Sequence, residues 1–370
     1  MAAIFGLDLI DATPGADPEQ ISARLQEVVR NAVLFEDLGF DGFAVGERHH
    51  APFVSSSPPV VLSHIAARTS RIRLLTGVTL LSVLDPVRVA EDYATLDHLS
   101  GGRLEIILGK GNGPEQAELF GIGRTEAWDT LEENYRLLRR LWSGEPVTWD
   151  PPEGLPTIRR TPLRDATVFP PPLQRRIRVW HGSATAERSV ELAAEYGDPI
   201  FSANGFNPVE YYARLVRHYR SAWEARGRDP ERALVGAGHG AVHVARRSQD
   251  AVEAYRPVYE ALAERLRAAD NHHLAGTATL YDSYEDYLER GSALVGSPQQ
   301  VLDKVLRYHE AFGNSAITVG GHDPGVGGSA WRDSLELFAS DVAPEVRRLL
   351  PDLPTPDESA DVAAAVPVAA

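Results

Sequence analysis

The chain has 370 residues, and its 37 basic and 52 acidic side chains give a formal net charge of −15. It contains no cysteine, which excludes disulfides, thiolate metal sites and cysteine nucleophiles. The acidic balance disfavours a binder of nucleic acid or of an anionic membrane, because such proteins need a basic surface.

The first fifteen residues lack a basic region, and their apolar run is too short for a signal segment or a membrane span. We therefore expect no membrane association and a cytoplasmic location. Short apolar segments then alternate with segments of helical periodicity. The predicted strands are residues 4–10, 41–45, 72–81, 104–108, 177–180, 199–203, 241–244 and 316–319. The predicted helices are residues 17–38, 59–67, 86–99, 126–142, 187–196, 208–225, 248–268 and 298–312.

Eight strands alternating with eight helices predict an α/β fold, a single (β/α)8 TIM barrel of about 250 residues plus insertions. A doubly wound sheet, possibly split in two, is the alternative. The extra length falls in residues 144–176, before the fifth strand, and 269–297, before the last helix. We expect residues 1–350 to form the barrel domain and residues 351–370 to form a disordered acidic tail.

In such a barrel the chemistry lies where strands end and helices begin. The second predicted strand ends in Gly46-Glu47-Arg48-His49-His50. We predict that His49, with His50 beside it, acts as an acid/base or oxygen-binding group. Neighbours on extended backbone point to opposite faces, so the two rings cannot easily share one metal ion. We therefore predict no metal site, and a structural histidine is the simpler alternative.

The third and fourth predicted strands carry glycines at places where a ligand could approach the backbone. Gly77 lies inside the third strand, where glycine often marks close contact with a ligand or with another backbone. The fourth strand runs into Lys110-Gly111-Asn112. This loop is neither a Walker loop nor a complete dinucleotide fingerprint. It is a flexible turn that carries a cation, in a chain whose basic residues otherwise include only one further lysine.

The fifth predicted strand leads through His181, Gly182, Ser183, Ala184 and Thr185 into a helix. Free N–H groups at a helix start, together with two hydroxyl groups, form an anion seat suited to a phosphate. An ordinary serine or threonine cap explains the same residues equally well.

Taken together, these segments resemble the bacterial luciferase-like, flavin-dependent monooxygenase family. The likeness runs from residue 4 to about residue 347. It is carried by residues 38–50 (LGFDGFAVGERHH), 71–111 (RIRLLTGVTLLSVLDPVRVAEDYATLDHLSGGRLEIILGKG), 171–184 (PPLQRRIRVWHGSA), 193–199 (AAEYGDP) and 334–347 (SLELFASDVAPEVR). One departure is Arg48, which separates Glu47 from the paired histidines where many relatives have Glu-His-His.

The resemblance implies a barrel that is usually dimeric and that binds FMN at the carboxyl ends of its strands. It implies a non-proline cis peptide at Gly77–Val78 and a flavin-phosphate contact for Lys110. It also implies that the phosphate seat is Gly182, Ser183 and Thr185, and that His49 is the active-site histidine.

We accordingly predict a two-component monooxygenase that takes reduced FMN from a separate flavin reductase and uses O2 to oxygenate a small organic substrate. The first alternative is an oxidoreductase that transfers hydride with a deazaflavin coenzyme. The second is a flavin-binding protein without catalysis, and the third is a metal-dependent barrel hydrolase.

Overall fold

The computed structural model describes residues 1–111, 113, 115–184, 186–203, 207–268, 281–320 and 328–358, with the backbone only for 265–268. The strands are β1 (Ala3–Asp8), β2 (Gly42–Val45), β3 (Arg73–Leu80), β4 (Leu104–Gly109), β5 (Val147–Trp149), β6 (Leu163–Ala166), β7 (Arg178–Ser183), β8 (Ile200–Ala203), β9 (Val235–Gly238), β10 (Val242–Val244), β11 (Leu294–Gly296) and β12 (Ala316–Gly320). The helices are α1 (Pro18–Asp37), α2 (Pro58–Ala66), α3 (Pro86–Ser100), α4 (Glu115–Phe120), α5 (Ala127–Leu141), α6 (Glu187–Tyr196), α7 (Val209–Glu224), α8 (Ser248–Ala268), α9 (Tyr284–Arg290), α10 (Pro298–Phe312), α11 (Gly328–Leu337) and α12 (Ala343–Leu349).

Eight of these strands close into a barrel in the order β1-β12-β9-β8-β7-β4-β3-β2. The pairs β1/β12, β12/β9, β9/β8, β3/β4 and β4/β7 are parallel. Helices follow the barrel strands along the chain, as a (β/α)8 barrel requires. The predicted fold class is therefore confirmed.

The seventh barrel strand differs from the sequence prediction. We predicted residues 241–244, but the strand that pairs with β8 and β12 is β9. The predicted segment forms β10, which pairs with β11 in a separate two-stranded sheet. The sequence of β9 is VGAG, and a Cβ atom on Gly236 would stand 2.5 Å from the ring of Phe201. The Phe201 ring therefore requires glycine at position 236. With this glycine, β9 lacks the run of large apolar residues by which a strand is recognised in the sequence.

Local capping explains why several helices begin where the sequence predicts. Asp85 precedes α3 and accepts a hydrogen bond from the Val87 N–H at 2.8 Å, with a proline at the first helical position. Ser297 and Gln300 form a reciprocal capping box at the start of α10. Gly313 ends that helix in the left-handed conformation, at φ 60°.

The insertion before the fifth barrel strand contains the antiparallel pair β5 and β6. Trp149 Nε1 donates to Glu133 of α5 at 2.7 Å, and Gln174 Nε2 donates to Asp97 of α3 at 2.8 Å. These contacts attach both ends of the insertion to neighbouring helices. Of the second predicted insertion, residues 269–280 lie outside the described residues, and the remainder contains α9 and β11.

Two compact units divide the chain: Met1–Asp8, Leu34–Phe43 and Gly182–Ala370 form one, and Leu9–Val33 and Ala44–His181 form the other. We call them the first and the second unit. In the second unit the buried Glu105 contacts Arg73 at 2.5 Å and Arg178 at 3.2 Å. Burial alone raises the pKa of Glu105, but these two guanidinium groups outweigh it, so the pKa is lowered and the carboxylate stays ionised.

In the first unit, aromatic rings form much of the core. Phe35 packs edge-on against Phe40 and Phe43, with ring centroids 4.6 Å and 5.3 Å apart. After β12 the chain adds α11, a π-helical turn (Phe338–Val342) and α12, which the periodicity did not predict. The Leu353 N–H donates to the Met1 carbonyl, and residues 359–370 of the predicted tail lie outside the described residues.

Candidate active site

The segment after β2 holds a carboxylate and a histidine in a fixed arrangement. Glu47 is buried, and its Oε1 lies 2.9 Å from His49 Nε2. Its second oxygen accepts the backbone N–H of Leu80 at 3.0 Å. Residues i and i+2 of an extended chain point to the same face, which brings the two side chains together. Glu47 thus ties His49 to the end of β3.

The two adjacent histidines have different partners. His49 is 11% exposed, and its ring meets the Phe120 ring edge-on at 4.8 Å. His50 is 39% exposed, and its Nδ1 lies 2.9 Å from Glu115 Oε1. Within the described ranges no three histidine, aspartate or glutamate side chains are grouped as metal ligands.

Strand β3 contains the predicted cis peptide bond, between Gly77 and Val78. Both residues are partly exposed, whereas Thr76 and Thr79 on either side are buried. The pairing with β4 shifts register at this point. A Cβ atom on Gly109 would stand 2.9 Å from Val78 Cγ2, so glycine at the end of β4 leaves room for the valine. β3 is therefore partly exposed at Gly77 and Val78.

A chain of buried hydroxyl groups lies behind this backbone. Thr79 Oγ1 donates to Thr76 Oγ1 at 3.0 Å and lies 2.8 Å from Tyr93 Oη. Thr76 Oγ1 in turn donates to the Ile107 carbonyl on β4. Burial raises the pKa of Tyr93, and the nearby Glu47 raises it further, so the phenol stays protonated. The sequence did not indicate this group, because threonines inside a strand carry no distinctive signal.

The loop after β4 presents Lys110. Ser82 Oγ donates to the Lys110 carbonyl at 2.8 Å, and Lys110 Nζ donates to the Gly111 carbonyl at 2.8 Å. The ammonium group also lies 5.8 Å from the centre of the Trp128 ring. Burial lowers the pKa of Lys110, and the positive charge of Arg124 lowers it further. Gly111 is described, with φ 76°, but Asn112 lies outside the described residues.

An apolar surface covers the same strand ends. Leu80, Val83, Ile122 and Ala127 form a buried cluster. Three partly buried side chains pack against it: Val78, Phe120 and Ile158. Ile158 comes from the insertion before β7, so this insertion supplies part of the apolar surface. The edge of this surface is Phe120, the residue whose ring contacts His49.

At the end of β7 the predicted residues fall in both units. His181 belongs to the second unit, where its buried ring meets the Tyr135 ring edge-on at 4.9 Å. Gly182, Ser183 and Ala184 belong to the first unit, and Thr185 lies outside the described residues.

The Ser183 hydroxyl already has a partner. Its Oγ lies 2.5 Å from Ser189 Oγ, and Ser189 Oγ donates to the Ala186 carbonyl. The N-cap residue of α6 is Ala186, whose side chain makes no capping hydrogen bond. Because Thr185 lies outside the described residues, the anion seat at this helix start stays a prediction.

Several predicted residues are therefore linked within the second unit. Glu47 joins His49 to Leu80 at the end of β3, and Ser82, just beyond it, bonds the Lys110 carbonyl. Glu47 itself was quoted in the sequence motif but was given no role. Its position two residues before His49 was the signal that could have identified it.

A closed barrel with polar side chains after β2 and β4 has the organisation of a barrel enzyme. The chain belongs to the luciferase-like monooxygenase family, whose family model matches residues 4–315. It is 30% identical to the 4-hydroxyprotoasukamycin monooxygenase of Streptomyces nodosus subsp. asukaensis over 92% of this chain and 91% of that one. It is 28% identical to the limonene 1,2-monooxygenase of Rhodococcus erythropolis over 83% and 78% of the two chains.

Solved structures share the fold. The monooxygenase RslO1 from Streptomyces bottropensis superposes with a TM-score of 0.75 at 26% identity, over 92% of this chain and 99% of that one. The oxygenating constituent of 3,6-diketocamphane monooxygenase from Pseudomonas putida, solved with FMN, gives 0.78 at 20% identity, over 95% and 100%. An F420-dependent secondary alcohol dehydrogenase gives 0.70 at 18% identity, over 94% and 99%. Within the described part of the chain, no helix has the length and apolarity to cross a membrane.

Proposed function

We propose that this protein is a flavin-dependent monooxygenase that uses reduced FMN and O2 to oxygenate a small organic substrate. The observation that carries the proposal is the Glu47-held His49 in a member of the luciferase-like monooxygenase family. Bound reduced FMN supplies the two electrons that reduce O2, so that one oxygen atom enters the substrate and the other leaves as water.

The residues of the second unit fit a flavin. The partly exposed Gly77–Val78 segment offers backbone polar atoms to the edge of a flat ring system, and glycine at position 109 leaves room for the Val78 side chain. Lys110 adds a cation for an anionic part of the cofactor. We assign these residues, with Gly111 and His181, to the cofactor site. Asn112 and the anion seat at residues 182–185 remain predictions from the sequence.

The protein contributes acid–base chemistry and water exclusion. His49 can hold or release a proton at its ring, and the Glu47 carboxylate, 2.9 Å away, orients the ring. Phe120, Val78 and Ile158 supply an apolar surface that limits the access of water. Glu47 acts through His49 and is therefore a positioning residue, and His50 is the second histidine of the proposed site.

The test is turnover with photoreduced FMN and isotopically labelled O2 over a panel of apolar substrates. We expect a product that carries one labelled oxygen atom, and we expect Glu47→Gln to lower the rate, because the carboxylate that orients the His49 ring is lost. Retention of the F420 deazaflavin coenzyme with hydride transfer and no consumption of O2 would contradict the proposal. Tight FMN binding with no oxygenated product over the whole panel would also contradict it.

We further propose that a separate flavin reductase supplies the reduced FMN and that the protein is a homodimer. Omission of the reductase should stop turnover that is driven by a reduced nicotinamide, and light scattering should give twice the 40.4 kDa of one chain. Turnover without a reductase, or a monomer mass at assay concentration, would refute the corresponding part. A cytoplasmic location remains a prediction from the sequence.

A further inference from the structure

The first unit contains a groove of about 680 Å³ that the proposed oxygenation does not use. Its walls come from β10, the start of α8, α11 and the π-helical turn that follows α11. No residue that we assign to the cofactor site or to acid–base chemistry lines it. The side chains of this groove are therefore available for a different ligand.

His243 forms one wall of the groove and lacks a hydrogen bond that its burial calls for. The residue is 4% exposed, and its Nδ1 has no partner among the described residues. Buried ring nitrogens are nearly always hydrogen-bonded in folded proteins, so the His243 ring keeps hydrogen-bonding capacity that no described residue satisfies. Burial also lowers the pKa of His243. The imidazole is consequently neutral near pH 7, with one nitrogen able to accept a hydrogen bond.

The facing walls carry more negative than positive charge. Asp333 and Glu336 lie three residues apart on α11 and so share a helix face. Neither has an ion-pair partner within the described residues. Asp250 of α8 also lines the groove, and it lies 3.8 Å from Arg247. Arg246 is the cation among the lining side chains.

Apolar atoms lie beside these acceptors. Leu337, Ala254 and Val244 line the same groove. A magnesium or calcium site takes oxygen ligands and water on all sides, whereas this groove combines oxygen acceptors, a neutral imidazole and aliphatic surface. An alkyl ammonium ion matches this combination, because its N–H groups need acceptors and its methylene groups need apolar contact.

We propose that this groove binds an aliphatic diamine or polyamine. One ammonium group lies between the carboxylates of Asp333 and Glu336, and it donates a hydrogen bond to the ring of His243. The methylene chain packs against Leu337. The site is independent of the flavin chemistry, so it can be tested on the full-length chain without cofactor.

The test is calorimetric titration with putrescine, with butanediol as the uncharged analogue of the same length. We expect putrescine to bind at least tenfold more tightly than butanediol, and we expect added salt to weaken its binding. The double variant Asp333→Asn, Glu336→Gln should bind putrescine at least tenfold more weakly. The matched control Glu224→Gln, Glu310→Gln removes two carboxylates of α7 and α10, outside the groove, and should change the affinity less than twofold.

A second readout keeps the proposal falsifiable if the double variant unfolds. Putrescine should shift the ring-nitrogen resonance of His243, identified by its absence in His243→Gln, and the other histidine signals should move less. Equal binding of the diol, an unchanged affinity in the double variant, or a putrescine effect that spares His243 would overturn the proposal. Preferential binding of phosphate, through Arg246, would overturn it as well.

Discussion

The two lysines of this chain, Lys110 and Lys304, lie in different surroundings: one in the loop after a barrel strand, the other on a helix. Lys110 follows β4, where its Nζ donates to one carbonyl and lies beside Trp128. Lys304 lies on α10, where its Nζ donates to the carbonyls of Leu288 and Ala293, the latter at 2.9 Å. Burial lowers the pKa of both lysines, and that of Lys304 falls to about 7.

This difference shows that rarity of a residue type does not by itself mark a functional site. A compact ammonium group donates to both carbonyls from one nitrogen atom, whereas a guanidinium group spreads its donors over a planar fork. Lys304 therefore has a structural reason to be lysine in a chain rich in arginine. Within the described part of the chain, the Lys110 ammonium donates to one carbonyl, that of Gly111 on its own loop. Its position at a barrel strand end is what makes it a candidate for binding.

The largest expected effect is a loss of turnover, without a matching loss of stability, at His49 in the region of Lys110. His49→Ala should lower turnover by about 10²- to 10⁴-fold, because it removes the proposed acid/base group. The free energy of unfolding should change far less than this loss of activity requires, because Glu47 keeps its hydrogen bond from the Leu80 N–H when the ring is removed. Turnover with photoreduced FMN and denaturant unfolding measure the two quantities. Unchanged turnover would remove His49 from the mechanism.

The next largest effect is a loss of stability at Lys304. Lys304→Met should lower the free energy of unfolding by about 1–3 kcal/mol, because it leaves two carbonyls without their shared donor. Turnover at low temperature should be retained. Urea unfolding measures the change, and Lys110→Met serves as the matched control. A loss of stability as large in Lys110→Met would abolish the distinction between the two regions.

The pH dependence of the free energy of unfolding is a further test of the structural role of Lys304. Because the folded-state pKa of Lys304 is about 7 and its ordinary value is 10.5, the unfolded chain binds the extra proton between these values. This residue therefore makes the free energy of unfolding rise with pH from about 7 upward, by up to about 1.4 kcal/mol per pH unit. The stability difference between wild type and Lys304→Met should grow over this range in urea titrations. A difference independent of pH would contradict the lowered pKa.

The smallest effect is expected for Lys110 itself. Lys110→Met should weaken FMN binding about tenfold, which corresponds to about 1.4 kcal/mol, because one cation near the proposed cofactor site is lost. Fluorescence titration of the flavin measures this affinity, and Lys304→Met should leave it unchanged. An unaltered affinity in Lys110→Met would assign this lysine a purely structural role like that of Lys304.

The sequence was most informative where the determining interactions are local. The starts of α3 and α10 could be predicted because Asp85 and Ser297 bond N–H groups only two or three residues away. The seventh barrel strand could not, because β9 is defined by its pairing with β8 and β12 and by the Phe201 ring that fills the place of side chains at Gly236.

The candidate site divides in the same way. The position of His49 after the second strand, and of Lys110 after the fourth, followed from the strand–helix alternation. The hydroxyl chain from Thr76 through Thr79 to Tyr93 did not, because it depends on how β3 and α3 pack. Asn112 and Thr185 lie outside the described residues, so their predicted roles remain predictions.

By itself, then, the sequence determined the barrel class, the ends of most helices and the strand ends at which the chemistry is expected. These features depend on residue periodicity and on contacts within one helical turn. Only the tertiary structure decided which segment closes the barrel and what fixes Glu47, the residue that holds His49. Glu47 does so while it accepts the N–H of Leu80, 33 residues further along the chain. Such a contact forms only when two strand ends become neighbours in the folded barrel, so no local pattern in the sequence encodes it.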